Sequence, residues 1–207
     1  MLINGFARAF RDPDIIDLIG QHSGVAVTLF KWGSAVDERY MIPWHLLRDP
    51  ASIAAFAATV ETTARDPSRI FTGICSVIGF AVRLIAENEF EGRREKIDVS
   101  GDGHSNFGVA LAGPQQAAGA VGIVINGLPI LTRIVDYSEG EPIHTSTDYY
   151  GLEDYCRDHV IVGPGAFVEI ADDYDDFARA FQRKLCRELS RIVSRDQSAP
   201  ARQLAYP

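Results

Sequence analysis

Long apolar runs are missing from this sequence. Its 207 residues contain no segment approaching the roughly 20 consecutive apolar residues that a helix needs to cross a bilayer. Residues 1–13 also lack an apolar run of signal-peptide length. We therefore expect a soluble chain without a membrane span. The residues themselves do not indicate a cellular compartment.

The sequence also lacks an excess of basic residues, and it contains little cysteine. It carries 20 Lys and Arg against 28 Asp and Glu, a net charge of −8. This balance argues against nucleic acid as a general partner, because phosphate binding needs a basic surface. Cys75, Cys156 and Cys186 are odd in number and widely spaced, which argues against a zinc site or a disulfide framework. We expect Cys75 and Cys186 to pack in the core.

What is present suits one globular domain. Hydrophobic residues make up 46% of the chain and charged residues 23%, and the length allows a sizeable core. We expect the domain to span residues 1–194 and to be followed by a flexible tail at 195–207.

Strand and helix patterns alternate along the chain. Helices are expected at 2–10, ended by Asp12-Pro13, and at 49–64, 72–88, 109–120, 152–159 and from 172 onward, whereas strands are expected at 25–32, 38–47, 96–100, 122–130 and 167–171. The first two strands form an antiparallel hairpin, and 131–150 is an irregular surface excursion. This order predicts an α/β fold with a doubly wound, mostly parallel sheet, helices on both faces and one antiparallel edge strand.

A polar loop follows the strand at 96–100. Gly101, Asp102 and Gly103 end this strand abruptly, and open α/β sheets place ligand sites at the carboxyl ends of their strands. A carboxylate held there is a suitable ligand for a hard cation. The sequence therefore indicates a site at Asp102 without saying what binds.

Neighbouring side chains leave two readings of this loop open. His104, Ser105 and Asn106 could contact a ligand or a metal-bound water, or serve only as turn residues. Asp102 and His104 together also suggest a hydrolase of unknown class, with Ser76 or Ser100 as nucleophile, although no G-x-S-x-G motif is present.

Asp98 lies within the same strand, between Ile97 and Val99. A buried carboxylate is costly unless it is paired. It either orients the site loops or serves as a structural partner for a backbone amide or an arginine such as Arg94.

Five segments, in this order along the chain, resemble the von Willebrand factor A-type domains, and more closely a bacterial family of uncharacterised proteins with that fold. They are TGICSVIGFA (72–81), FEGRREKIDVSGDG (90–103), INGLPI (125–130), YCRDHVIVGPGAF (155–167) and DDFARAFQRKL (175–185). The resemblance covers roughly residues 5–192.

The resemblance implies a non-enzymatic protein-binding module with a metal-ion-dependent adhesion site. Thr72 would ligate Mg²⁺, Asp102 would act through the metal or its water shell, and Ser100 with residues 104–106 would contribute to binding. The bound cation would accept a carboxylate from a partner protein. Such proteins are typically exported, which implies an exported, longer form.

The sequence departs from the family pattern at its start. It contains no Asp-x-Ser-x-Ser loop, and it begins at the helix that follows this loop in the family. The first, central strand of the sheet is therefore missing, and the adhesion site is incomplete, because Mg²⁺ needs about six oxygen ligands. We therefore expect either a degraded site or a structural remnant without a ligand.

A missing central strand also matters for stability. A five-residue strand forms roughly ten ladder hydrogen bonds with two neighbours, and each buried group left unpaired costs roughly 1–3 kcal/mol. We expect the flanking strands to close up or a strand to arrive from elsewhere. Met1 would then lie inside a longer natural protein, or another chain would donate a strand.

Overall fold

The computed structural model describes residues 2–33, 36–63, 72–106, 112–131, 134–138, 141–146 and 151–196. The predicted tail lies outside these residues from 197 onward. No helix among the described residues is long and apolar enough to span a membrane. In chain order the elements are α1 (Leu2–Ala9), α2 (Pro13–Gly20), β1 (Val25–Trp32), β2 (Val36–Leu47), α3 (Pro50–Thr62), α4 (Ile74–Glu87), β3 (Lys96–Gly101), α5 (Ala112–Ala120), β4 (Val124–Pro129), β5 (Ile134–Ser138), β6 (Glu141–Ser146), α6 (Leu152–Tyr155), a π-helical turn (Cys156–Val160) and α7 (Phe177–Asp196).

The parallel part of the sheet is built around β4. β3 and β4 pair in parallel, from Lys96 opposite Val124 to Gly101 opposite Pro129. Parallel bridges join the far side of β4 to the extended segment 166–171. That segment stands where a last strand was predicted, but it pairs at isolated positions and forms no continuous strand.

Two antiparallel hairpins accompany the parallel strands. β1 and β2 form the predicted edge hairpin, with Val25 opposite Leu47 and two irregularities in register. β5 and β6 form a second hairpin, with Ile134 opposite Ser146. The prediction of an irregular excursion at 131–150 is therefore wrong over 134–138 and 141–146. Residues with high strand propensity lie there, but the polar composition of the segment led to the prediction of a loop.

Helices pack on both faces of the strands, as the doubly wound α/β prediction requires. One core, which we call the first core, lies under α1, α2, α3 and α7; its members include Phe10, Ile15, Phe56, Leu128, Phe177 and Phe181. The second core lies under α4, α5 and the π-helical turn, and contains Ile78, Ile97, Val99, Ile125 and Val160. The predicted α/β fold with helices on both faces is confirmed.

The strands are divided into three separate pairs. Among the described residues β1 pairs with β2, β3 with β4 and β5 with β6, and no ladder joins β1 to β3. Over the described residues, β1 and β3 have not closed into a ladder.

Asp12-Pro13 has a second role that the sequence analysis did not identify. It ends α1 as predicted, but Asp12 also caps α2 by accepting a hydrogen bond from the Asp14 amide at 3.0 Å. Pro13 occupies the first turn of α2, where its missing N–H has no cost.

An ion cluster, formed by Asp98, Lys184, Glu188 and Asn126, joins α7 to the strands. Lys184 has no accessible surface; it pairs with Asp98 and lies 2.8 Å from Oε1 of Glu188. Asn126 of β4 donates to the same Glu188 oxygen at 2.5 Å and accepts a bond from the Phe167 amide at 3.1 Å. Asp98 thus has a structural partner, which is Lys184 and not Arg94.

Charge and burial compete within this ion cluster. Burial opposes ionisation of Asp98, but the adjacent Lys184 ammonium lowers the pKa of that carboxyl. Burial also disfavours the charged form of Lys184, yet the two carboxylates raise its pKa. For Glu188, burial and the negative charge of Asp98 outweigh Lys184 and raise the pKa to about 7.

The raised pKa of Glu188 predicts a specific pH dependence of stability. Between its ordinary pKa of 4.5 and about 7, the folded state binds a proton that the unfolded state releases, so stability falls as pH rises through this range. In Glu188→Gln this contribution, roughly 3 kcal/mol in total at 1.36 kcal/mol per pKa unit, should disappear. Urea unfolding at pH 5 and pH 8 measures it; equal pH dependence in both proteins would contradict the assignment.

Close packing at Gly127 gives a second prediction. A Cβ on this residue of β4 would lie 2.0 Å from Sγ of Cys156, in the π-helical turn. Gly127→Ala should therefore destabilise the fold by about 1–3 kcal/mol through overpacking. In a Cys156→Ala background the sulfur is gone, and the same substitution should cost much less in chemical unfolding. An identical loss in both backgrounds would show that the sulfur is not the cause.

Candidate functional site

Thr72 and the loop after β3 lie side by side. The Thr72 amide donates to Oδ1 of Asn106 at 2.8 Å, and the Asn106 amide donates to the Thr72 carbonyl at 2.9 Å. The Ser105 hydroxyl donates to the same carbonyl at 3.3 Å. These bonds join two segments that are more than thirty residues apart in the chain.

Thr72 and Gly73 also contact the end of β1 and the loop after β3. The Gly73 amide donates to the Gly33 carbonyl, just beyond β1, at 2.8 Å. Oγ1 of Thr72 lies 3.5 Å from the position of a Cβ on Gly103. The predicted neighbours, Thr72 and the loop that carries Asp102, thus share the edge at which β1 and β3 end.

Asp102 is held by a residue that sequence reasoning placed elsewhere. The Tyr174 hydroxyl donates to Oδ2 of Asp102. Burial raises the pKa of Tyr174, and the hydrogen bond and charge of Asp102 raise it further. The helix predicted from 172 onward would include Tyr174, but this residue lies in the turn before α7. The prediction was wrong because α7 begins at Phe177.

Tyr155 organises the other side of the loop. His104 stacks on its ring, with centroids 4.2 Å apart and an interplanar angle of 18°. The Ser105 amide donates to the Tyr155 hydroxyl at 3.1 Å. Tyr155 was not singled out in the sequence, since its contact with the loop spans 50 residues.

We call the surface formed by Thr72, residues 102–106, Tyr155 and Tyr174 the strand-end rim. Asp102, His104, Asn106 and Tyr174 are its exposed members. Ser100 stands apart from it, within β3 and opposite Leu128. Within the described residues no hydrogen bond joins Asp102 to His104, so the structure does not assemble the acid–base pair considered for a hydrolase.

The strand-end rim does not fit Mg²⁺ as it stands. The predicted ligands supply one hydroxyl, from Thr72, and one carboxylate, from Asp102. Oδ2 of Asp102 already accepts the Tyr174 hydroxyl, and Oδ1 of Asn106 accepts the Thr72 amide. No group of three or more His, Cys, Asp or Glu side chains that could hold a metal occurs in the described part of the chain. Mg²⁺ needs about six oxygen ligands, so this donor set is insufficient.

Solved structures resemble this chain in fold. The pilus adhesin SpaC from Lactobacillus rhamnosus GG matches with a TM-score of 0.56 and 11% identity, over 90% of this chain and 27% of that chain. An aerotolerance-related membrane protein from Bacteroides fragilis NCTC 9343 matches with a TM-score of 0.49 and 18% identity, over 91% of this chain and 88% of that chain. The conserved hypothetical protein BatB from Bacteroides thetaiotaomicron matches with a TM-score of 0.49 and 16% identity, over 89% and 87%. Of these three, SpaC has a TM-score above 0.5, and at 11% identity it supports a likeness of fold alone.

Sequence comparison gives the family. Among curated proteins none matches the chain. One family profile, described as a protein of unknown function (DUF1194), matches residues 2–193 and thus nearly the whole sequence. The chain therefore belongs to the DUF1194 family of proteins of unknown function.

Proposed function

We propose that this chain is a non-enzymatic protein-binding module of the von Willebrand A type, with an incomplete metal-ion-dependent adhesion site. The observation that supports this function is the reciprocal bonding of Thr72 and Asn106, which fixes two loops at one strand-end rim. In open α/β sheets this edge is where ligands bind.

The chemistry of the strand-end rim suits direct contact with a partner protein. Asp102, His104 and Asn106 are exposed, and their neighbours Tyr155 and Tyr174 hold the loop in place through a ring stack and a hydrogen bond. A polar surface of fixed shape loses little conformational entropy on binding. The partner would therefore be bound by hydrogen bonds from the loop rather than through a metal.

The hydrolase alternative has less support. A general base must reach the proton that it abstracts and is usually oriented by a second group. The His104 ring is instead stacked on Tyr155, and its nearest loop carboxylate is bonded to Tyr174. The proposed export of a longer form rests on the family resemblance alone.

Partner capture tests the proposal. Three immobilised proteins are compared: the wild-type chain, an Asp102→Ala/His104→Ala variant and a Glu61→Gln control. The control alters an exposed ion pair outside the rim. Quantitative mass spectrometry identifies the proteins that each one retains from an extract of the source cell. Wild type and control should retain the same protein, and the rim variant should retain at least about tenfold less, as expected for loss of interface hot spots. If the rim variant retains as much of this protein as wild type does, the proposal is contradicted. If none of the three forms retains a protein, a structural remnant is favoured.

Metal dependence gives a separate prediction. We propose that this chain alone binds Mg²⁺ weakly or not at all, because two side chains supply too few oxygen ligands. Isothermal titration with MgCl₂ or MnCl₂ in the millimolar range should give no saturable heat, and an Asp102→Asn variant should match wild type. Saturable binding that is lost in the variant would show that the rim is a working metal site.

A further inference from the structure

Arginines recur every four residues along α7. Arg179, Arg183 and Arg187 begin the series, and Arg191 and Arg195 continue it in the sequence. We call the first three the arginine ridge, because positions four apart are neighbours on a helix surface. Helix α7 holds six basic and two acidic residues, although the whole chain has a net charge of −8. The ridge is therefore a local concentration of positive charge on an acidic protein.

Two ridge arginines are held in place and stay accessible. Arg179 pairs with Asp176 at 2.9 Å. Arg183 pairs with Glu169 at 2.7 Å and donates to the Ile170 carbonyl at 3.0 Å. The two arginine side chains are 78% and 49% exposed, whereas the two carboxylate side chains are 5% and 19% exposed. The surface that faces water therefore presents guanidinium groups rather than carboxylates.

Arg187 has no anionic partner among the described residues. Its guanidinium lies 3.8 Å from the centroid of the buried Phe167 ring, and its side chain donates no hydrogen bond to another described residue. Stacking on a ring uses the face of a guanidinium and leaves its in-plane N–H donors available. Arg187 is thus a positioned cation whose planar fork suits a carboxylate.

A shallow depression adjoins the arginine ridge. Its lining consists of Arg179, Gln182, Arg183 and Cys186. The two guanidinium groups and the Gln182 amide can all donate hydrogen bonds. Such a lining suits the oxygen atoms of an anionic ligand.

The spacing of the arginine ridge matches an extended chain. Residues four apart recur about every 6 Å along a helix, at about 1.5 Å per residue. Alternate side chains of an extended strand recur about every 6.7 Å, so acidic residues at alternate positions would meet successive arginines. The ridge also winds around α7 by about 40° at each step. A polypeptide can follow this path, whereas a flat membrane surface cannot contact all three arginines.

Acidic neighbours limit the length of the ligand. Asp172 and Asp175 are exposed just before α7. Asp12 and Asp14 lie near Cys186, and burial together with these charges raises the pKa of its thiol. A long polyanion such as nucleic acid needs a broad basic surface and would meet these carboxylates. A short acidic segment would contact the arginines alone.

We propose that the arginine ridge binds a short extended segment of a partner protein that carries glutamate or aspartate at alternate positions. Arg187 is the anchor, since its donors have no other acceptor within the described part of the chain. This surface uses no residue of the strand-end rim, and it is a second contact beyond the function proposed above.

A synthetic peptide tests the proposal. The probe is fluorescently labelled Thr-Glu-Thr-Glu-Thr-Glu-Thr-Glu-Thr, titrated with the full chain at about 50 mM NaCl, where screening is weak. Fluorescence anisotropy should show saturable binding that weakens as salt is added. Arg187→Gln should weaken binding about tenfold, as expected when charge-assisted hydrogen bonds are lost. An Arg83→Gln control removes another exposed arginine that lies over a phenylalanine ring, and it should bind as wild type does.

Further variants separate binding from folding. A peptide with Gln in place of every Glu should not bind, and one with the four Glu residues in a block should bind more weakly. Arg187→Lys keeps the charge and the chain over Phe167 but loses the planar fork, so its affinity should be intermediate. The Asp102→Ala/His104→Ala variant should bind the peptide normally, so this result is independent of the strand-end rim.

Three outcomes would overturn the proposal. The first is that the wild-type chain does not bind the alternating peptide. The second is that Arg187→Gln and Arg83→Gln weaken binding equally. The third is that a thymidine decanucleotide or phosphatidylserine vesicles bind more tightly than the peptide, which would make the ridge a site for nucleic acid or for a membrane.

Discussion

The fold depends on a charged side chain in its interior. Lys184 has no accessible surface, so its ammonium group is tolerable only because Asp98 and Glu188 contact it and Asn126 fixes the second carboxylate. These four side chains come from β3, β4 and α7, and they join the last helix to the parallel pair of strands. Loss of either carboxylate would leave the Lys184 ammonium poorly compensated, which is far more costly than joint replacement of the charged members by apolar residues.

The strand-end rim is a consequence of the strand arrangement. At the rim, the ends of β1 and β3 are joined through the loops that contain Gly73 and Asn106, so the edge is defined even though the strands are not paired. The molecule thus has a polar rim of fixed shape at this edge.

Local sequence patterns predicted most of the helices and strands, but they could not predict long-range contacts. β1, β3 and α4 follow from runs of apolar residues with the correct period, and these positions determine that Thr72 and the Asp102 loop meet. Tyr155 and Tyr174 reach that loop across 50 and 72 residues, and no periodicity records such contacts. Lys184 was hidden for the same reason, since a lysine on a long charged helix ordinarily faces water. The roles of the site residues stay predictions.

The π-helical turn restricts how the length of this chain can vary. Its last bond runs from the Ile161 amide to the Cys156 carbonyl at 3.1 Å, and the next residue, Val162, exchanges two main-chain bonds with Ile125. A π-helical turn is an α-helical turn with one residue inserted. Deleting a residue there would restore α-helix and shift Val162 out of alignment with β4. Homologues should therefore tolerate insertions and deletions in surface loops much more readily than within residues 156–162.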